Sequence, residues 1–180
     1  GLAEDLHGGV DQPRGHELAQ ATVIPPNDKG ITAAIVAVDS HTGAVRALVG
    51  GPGFEWLNYD IATQPPGRQT GSAFKTFVLL TALEQGNLPF DTIWGGGSFA
   101  NPGGSPDPYV VSGSGGTLTS VITASSNGAF VRLGQVVGLD NVARLARALG
   151  ITSPLDPRVI SMPLGTFETT PIEMASAYSA

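Results

Sequence analysis

With 180 residues, 41% of them hydrophobic and 13% charged, the chain has apolar material for one ordinary core and too little for two. A net charge of -6 with no basic run excludes nucleic acid as a partner, because phosphate binding relies on clustered Lys and Arg. The lack of cysteine excludes disulfides and thiolate chemistry, and His7, His16 and His41 show no metal-ligand spacing, so no metal or other cofactor is expected.

Residues 1–30 are polar, carry Gly8-Gly9 and Pro25-Pro26, and read as a linker or approach segment with a short helical patch around residues 17–22. No apolar run approaches the roughly 18 to 20 residues that cross a bilayer, and no signal-peptide pattern opens the chain. Any membrane attachment is therefore expected from segments outside these residues. From Ile31 to Gly51 two runs rich in β-branched residues flank Asp39-Ser40-His41-Thr42-Gly43, a set of turn formers, which predicts a β-hairpin.

After a loop of Gly, Pro and aromatic residues, Phe74, Phe77, Val78, Leu79 and Ala82 recur at helical spacing, so Ser72 to Gln85 reads as a mostly buried helix ended by Gly86. Residues 87–116 are rich in Gly, Pro and Ser and read as a long irregular excursion beside a cleft. The helical series resumes in TLTSVITASSNGAFVRLGQVVG and LDNVARLARALG, up to Gly150. In ETTPIEMASAYSA, Thr170 as N-cap, Pro171 at the first helical position and Glu173 closing a capping box predict a last helix.

The chemistry begins at GSAFK. A serine hydroxyl attacks a carbonyl only when a base takes its proton, and no histidine is placed by the sequence to do so. Lysine can replace it. Positions i and i+3 lie one helical turn apart, so the Lys75 amine can lie beside the Ser72 oxygen, and burial lowers a lysine's pKa until the neutral amine is populated. The helix N-terminus offers backbone N–H groups to the developing oxyanion.

Plain structural roles remain open for both residues: Ser72 as a helix cap, and Lys75 with its ammonium reaching water. With two lysines and thirteen serines in the chain, a chance Ser-x-x-Lys has a frequency of about 0.14, so the tetrad alone does not decide. Some fifty residues on, Ser125-Ser126-Asn127 falls at a break between two helical patterns, where a hydroxyl and a carboxamide can converge on a cleft. Alternate residues at such a turn project to different sides, so Ser125 and Asn127 are expected to face the cleft and Ser126 to matter less. By itself the triplet also fits a capping cluster between helices.

Tetrad and Ser-x-Asn together belong to the motif set of serine β-lactamases and penicillin-binding proteins. YDIATQPPGRQTGSAFKTFVLLTALEQG resembles the nucleophile segment of class A penicillin-binding proteins, actinobacterial ones in particular, where Arg-Gln-Pro-Gly-Ser-x-Phe-Lys-Pro is typical. AAIVAVDSHTGAVRALVGG resembles their first two strands, and SSNGAFVRLGQVVG, LARALGI and LGTFETTPIEMASAYSA follow in the family's order. Thr70 and Thr76 stand where the family commonly has proline. The resemblance covers residues 31–180.

It implies an α+β fold, an antiparallel sheet flanked by helices, of which this sequence supplies the first hairpin and the helical part. It implies a transpeptidase that cross-links peptidoglycan stem peptides ending in D-Ala-D-Ala, works on the extracytoplasmic face of the bacterial cytoplasmic membrane, and is acylated by β-lactams. On these positions Ser72 is the nucleophile, Lys75 the general base, Ser125 a proton relay and Asn127 a hydrogen-bond partner of the substrate amide. A β-lactamase or D,D-carboxypeptidase, which hydrolyses the acyl-enzyme, is the alternative within this chemistry. A non-catalytic β-lactam sensor is the alternative outside it.

The family's third motif, Lys-Thr-Gly or a close variant on a strand lining the site, does not occur; Lys29, the only other lysine, precedes the hairpin. A lone two-stranded hairpin leaves an apolar face and an open edge. Residues 31–180 are thus expected to be part of a catalytic domain, with a Lys-(Thr/Ser)-Gly strand supplied by a further segment or second chain.

Overall fold

The computed structural model describes residues 32–51, 57–101 and 106–180, so the expected linker over residues 1–30 and Lys29 lie outside the described residues. The chain is α+β and divides into two compact units. One holds the described residues up to Arg68 together with Leu149–Ser153 and Thr169–Ala180; the other holds Gln69–Ala148 and Pro154–Glu168.

In the first unit, β1 (Ile35–Val38) and β2 (Val45–Val49) form the expected hairpin, antiparallel and with a register shift between Ala37 and Val38. Its turn closes on Asp39, whose Oδ1 accepts from the His41 and Thr42 amides while Oδ2 accepts from Arg46. The last helix of the chain packs against β1. This helix spans Pro171–Ser179 and starts as expected, with Thr170 as N-cap, a reciprocal capping box to Glu173 and Pro171 in its first turn.

The second unit is built on four helices: α1 (Lys75–Glu84), α2 (Leu118–Thr123), α3 (Asn127–Val137) and α4 (Leu139–Ala148). With these numbered, the capped helix of the first unit is α5. α1 packs against α3 and α4, and its Phe77, Val78 and Ala82 are fully or almost fully buried, as are Phe130, Val131 and Val142 on the facing helices. Burying each such Phe or Val contributes about 2 kcal/mol, so this interface dominates the unit's cohesion.

Two expectations change here. Ser72 does not lie within the α-helix; Gly71–Phe74 form a tight 3-10 turn, and the α-helix opens at Lys75. Residues 87–116 are not simply irregular. They carry β4 (Thr92–Ile93), β5 (Gly97–Phe99), β6 (Tyr109–Val111) and β7 (Gly116–Thr117), β3 and β8 being the two-residue strands Arg68–Gln69 and Glu168–Thr169 at the unit boundaries.

β4 pairs antiparallel with β7, and β5 with β6, giving two short ribbons. Phe99 of β5 is buried with Val131 and Ile160, which anchors one ribbon on α3. Arg132 of α3 lies over the Phe99 ring, 5.0 Å from its centroid.

Candidate active site

The turn that carries Ser72 is held from both ends. Gly71 takes a left-handed conformation (φ 55°), which an L side chain adopts at a cost, and its N–H donates to the Gly165 carbonyl at 3.1 Å. Gly165 is left-handed as well, and a Cβ there would collide with the Gly71 backbone and the Thr70 hydroxyl. At the other end Phe74 is fully buried, edge-on to Phe167 with centroids 4.5 Å apart. Between these anchors Ser72 is exposed.

Lys75 follows one turn later and has no exposed surface. Its Nζ donates to the Ser125 carbonyl at 2.6 Å, to Ser125 Oγ at 3.0 Å and to Asn127 Oδ1 at 2.7 Å, and lies 5.7 Å from the centroid of the Phe130 ring. All three acceptors are uncharged, so no counter-charge offsets the loss of hydration, and burial pushes the Lys75 pKa down. Neither plain structural role is filled: Lys75 does not reach water, and Ser72 caps neither the 3-10 turn nor α1. None of the three bonds reaches Ser72, which lies exposed one turn before the lysine.

Ser125 and Asn127 arrive at the lysine through the junction of two helices. α2 ends in a Schellman motif: the Ser125 N–H donates to the Ile122 carbonyl at 3.0 Å and the Ser126 N–H to Val121 at 2.9 Å. The left-handed position of that motif, usually glycine, is Ser125 with φ 50°. That conformation costs about 1–2 kcal/mol for a residue with a Cβ and turns both oxygens of Ser125 toward one ammonium. Asn127 is the first residue of α3, and its carboxamide oxygen supplies the third acceptor.

The four site residues named from the sequence therefore lie in one unit. Ser125 and Asn127 meet on Lys75, and Ser72 stands one turn before it. His41 is exposed in the hairpin turn, and among the described residues no group of three or more His, Asp or Glu side chains could hold a metal. Several participants escaped sequence reasoning. Phe130, three residues after Asn127, carries the same signal as any core aromatic; Gly165, Gly95, Gly96, Gly113 and Gly115 look like loop composition until backbone is seen to press on backbone.

The model of the penicillin binding protein transpeptidase domain matches residues 33–180. Penicillin-binding protein 1A of Neisseria meningitidis serogroup A is 38% identical over 154 residues, covering 81% of this chain and 19% of that protein. The chain thus spans about a fifth of the length of the curated relatives it matches. Among solved structures, penicillin-binding protein PonA1 from Mycobacterium tuberculosis superposes with a TM-score of 0.75 at 28% identity, covering 93% of this chain and 46% of that one. The same protein in complex with penicillin V gives 0.74 at 29% identity, with 93% and 48% covered. A family match over more than three quarters of the sequence, with the tetrad and Ser-x-Asn meeting in one fold of that type, means that the chain belongs to the penicillin-binding-protein transpeptidase domain family.

Proposed function

We propose that this chain carries the acylating half of a serine D,D-transpeptidase site that cross-links peptidoglycan stem peptides. The observation that carries the reading is the Lys75 amine: fully buried, without a carboxylate among its hydrogen-bond partners, and one turn behind an exposed serine. Burial disfavours the charged form of that amine at a cost in stability, which a purely structural lysine would not need.

In the acylation step Ser72 Oγ attacks the carbonyl carbon of the bond between the two terminal D-alanines while Lys75 Nζ takes the hydroxyl proton. The C–N bond breaks, and the proton passes through Ser125 Oγ, 3.0 Å from Nζ, to the leaving amine of the terminal D-Ala. An acceptor amine then attacks the ester, gives up a proton along the same route, and the C–O bond breaks to restore the Ser72 hydroxyl. Asn127 binds the substrate amide through the carboxamide that Lys75 orients. A β-lactam enters at the first step, its strained amide standing in for the D-Ala-D-Ala bond.

The reaction belongs on the extracytoplasmic face of the cytoplasmic membrane, where stem peptides are cross-linked, and a Lys-(Thr/Ser)-Gly strand from sequence beyond these 180 residues completes the pocket. None of the described helices is long and apolar enough to cross a membrane. Intact-mass measurement of the complete polypeptide after exposure to penicillin tests the reading. One adduct of the antibiotic's mass, mapped to Ser72 and lost in Ser72→Ala, is expected; labelling that survives the substitution assigns the nucleophile elsewhere.

A further inference from the structure

Ser126 is the one residue of the Ser125-Ser126-Asn127 triplet that does not touch Lys75, and the turn geometry alone gives it the least to do. Its surroundings say otherwise. It is 5% exposed, whereas Ser125 and Asn127 are exposed on either side. Each of its polar groups is engaged, and together the engagements reach three elements.

Its N–H closes the end of α2 on Val121, and its carbonyl accepts from Phe130 N at 3.2 Å, the first backbone bond of α3. Its Oγ accepts from Ala129 N at 3.4 Å as the N-cap of α3 and donates to the Ser114 carbonyl at 2.6 Å. Ser114 precedes β7 and belongs to the ribbon segment rather than to either helix. Ser126 therefore ties two helices and a ribbon together at one point.

The ribbon is seated there without slack. Gly128 N donates to the Ser112 carbonyl at 3.0 Å. A Cβ on Gly113 would run into the Ser126 hydroxyl and the Gly128 amide, and a Cβ on Gly128 would run into the backbone of Gly96. Glycines at these positions let main chain lie on main chain, which fixes the height of the Ser114 carbonyl over the Ser126 hydroxyl.

The peptide unit between Ser125 and Ser126 is held at both ends, its N–H by Val121 and its carbonyl by Lys75 Nζ. Ser125 occupies a left-handed conformation that persists only while its surroundings enforce it. If the Ser126 hydroxyl lets go of Ser114 and Ala129, the junction keeps its backbone bonds but loses its side-chain tie to the ribbon, and the Gly128–Ser112 bond alone holds the two together. Ser125 then relaxes, and its carbonyl and hydroxyl leave the lysine together.

We infer that Ser126 is a positioning residue of this site, acting through its Oγ bond to Ser114 to hold Ser125 and Asn127 at their distances from Lys75. The inference rests on the proposed acylation of Ser72, and its test separates the two. Penicillin acylation of the complete polypeptide is followed as a rate constant against pH in wild type, Ser126→Ala and Thr117→Ala. Thr117 is the matched comparison: it caps α2 by accepting from Ser120 N at 3.1 Å and touches none of the lysine's partners.

Ser126→Ala is expected to acylate at least about 10-fold more slowly, with the acid limb of its pH profile displaced, since displacements near 1 Å around reacting groups carry losses up to about 10²-fold. Thr117→Ala is expected to lose thermal stability while acylating within about two-fold of wild type on an unchanged profile, because a lost cap alone moves stability rather than mechanism. Gly113→Ala, which pushes on the same hydroxyl, is read on the same scale if Ser126→Ala does not fold. Ser126→Ala acylating at the wild-type rate and profile overturns the inference, as does an equal loss in Thr117→Ala. A wild-type protein that takes up no penicillin overturns the site reading and this inference with it.

Discussion

Lys75 and Glu173 are each surrounded by hydrogen bonds and each titrates below its ordinary range, yet the two environments are opposites. For Glu173 burial pushes the pKa up, and bonds from Thr152, Ser153 and Thr170 outweigh it, so the carboxyl is held down at about 2. Its oxygens accept from the backbone and hydroxyl of all three residues at 2.6–2.9 Å. For Lys75 burial alone drives the shift, with only neutral oxygens in reach. A downward shift means a favoured charge on an acid and a disfavoured one on a base. The first site is built around an ion to secure a helix start; the second gives the amine hydrogen-bond acceptors but no counter-charge.

The largest effect expected from that contrast is at the lysine. Lys75→Met should slow penicillin acylation by about 10² or more, the scale of losing a general base. It should leave the melting temperature at or above wild type, because a buried amine without a counter-charge is removed and water can reach the exposed Ser125 and Asn127. In the wild type the rate should fall as pH drops and the amine protonates, with a midpoint below the ordinary lysine range. A variant with normal acylation and a sharply lower melting temperature would make Lys75 structural and erase the difference from Glu173.

Glu173→Gln should do the reverse, costing about 1–2 kcal/mol of stability, discounted for partial exposure, while acylation stays within about two-fold. The sign in acid follows from the folded pKa of about 2 lying below the ordinary 4.5. The carboxylate's contribution is complete above roughly pH 4.5 and disappears as pH falls from there toward 2. Thermal melts of both proteins should therefore differ at pH 7 and converge by pH 2 to 3. A gap that persists undiminished in acid would mean that the charge of Glu173 is not what the capping site uses.

How far each region was legible follows from the distance over which its residues act. The α5 cap is contained in Thr170, Pro171 and Glu173, and the hairpin turn in Asp39 to Gly43, so local hydrogen-bonding chemistry specified both. That Glu173 also gathers Thr152 and Ser153 was not visible, because those residues sit some twenty positions upstream with no periodicity linking them. The meeting of Lys75 with Ser125 and Asn127 spans about fifty residues and was reached through motif resemblance rather than spacing. The ribbons of residues 92–117 stayed hidden for another reason. Strands of two or three residues rich in glycine carry no alternation of polar and apolar side chains, and their glycines serve close backbone approach instead.

The smallest expected effect concerns Thr70, where the family commonly has proline, and it asks whether the rim of the nucleophile turn resembles the Lys75 site or the Glu173 site. The Thr70 hydroxyl is buried without a hydrogen-bond partner, pressed toward Gly165, so it carries a small desolvation cost with no return. Its φ of -71° already matches the proline ring, and Gln69 before it lies in an extended strand, as the residue preceding a proline must. Thr70→Pro should therefore stabilise by about 0.4–1 kcal/mol, chiefly by restricting the unfolded chain. Thr70→Val, which removes only the unpartnered hydroxyl, should gain less, and the difference between the two melting temperatures isolates the backbone contribution. Acylation should stay within about two-fold in both, since neither change touches Ser72 or Lys75. A fall in melting temperature for both variants would mean that the Thr70 hydroxyl is satisfied in the folded protein, and that the nucleophile turn is supported by its polar groups in the manner of Glu173.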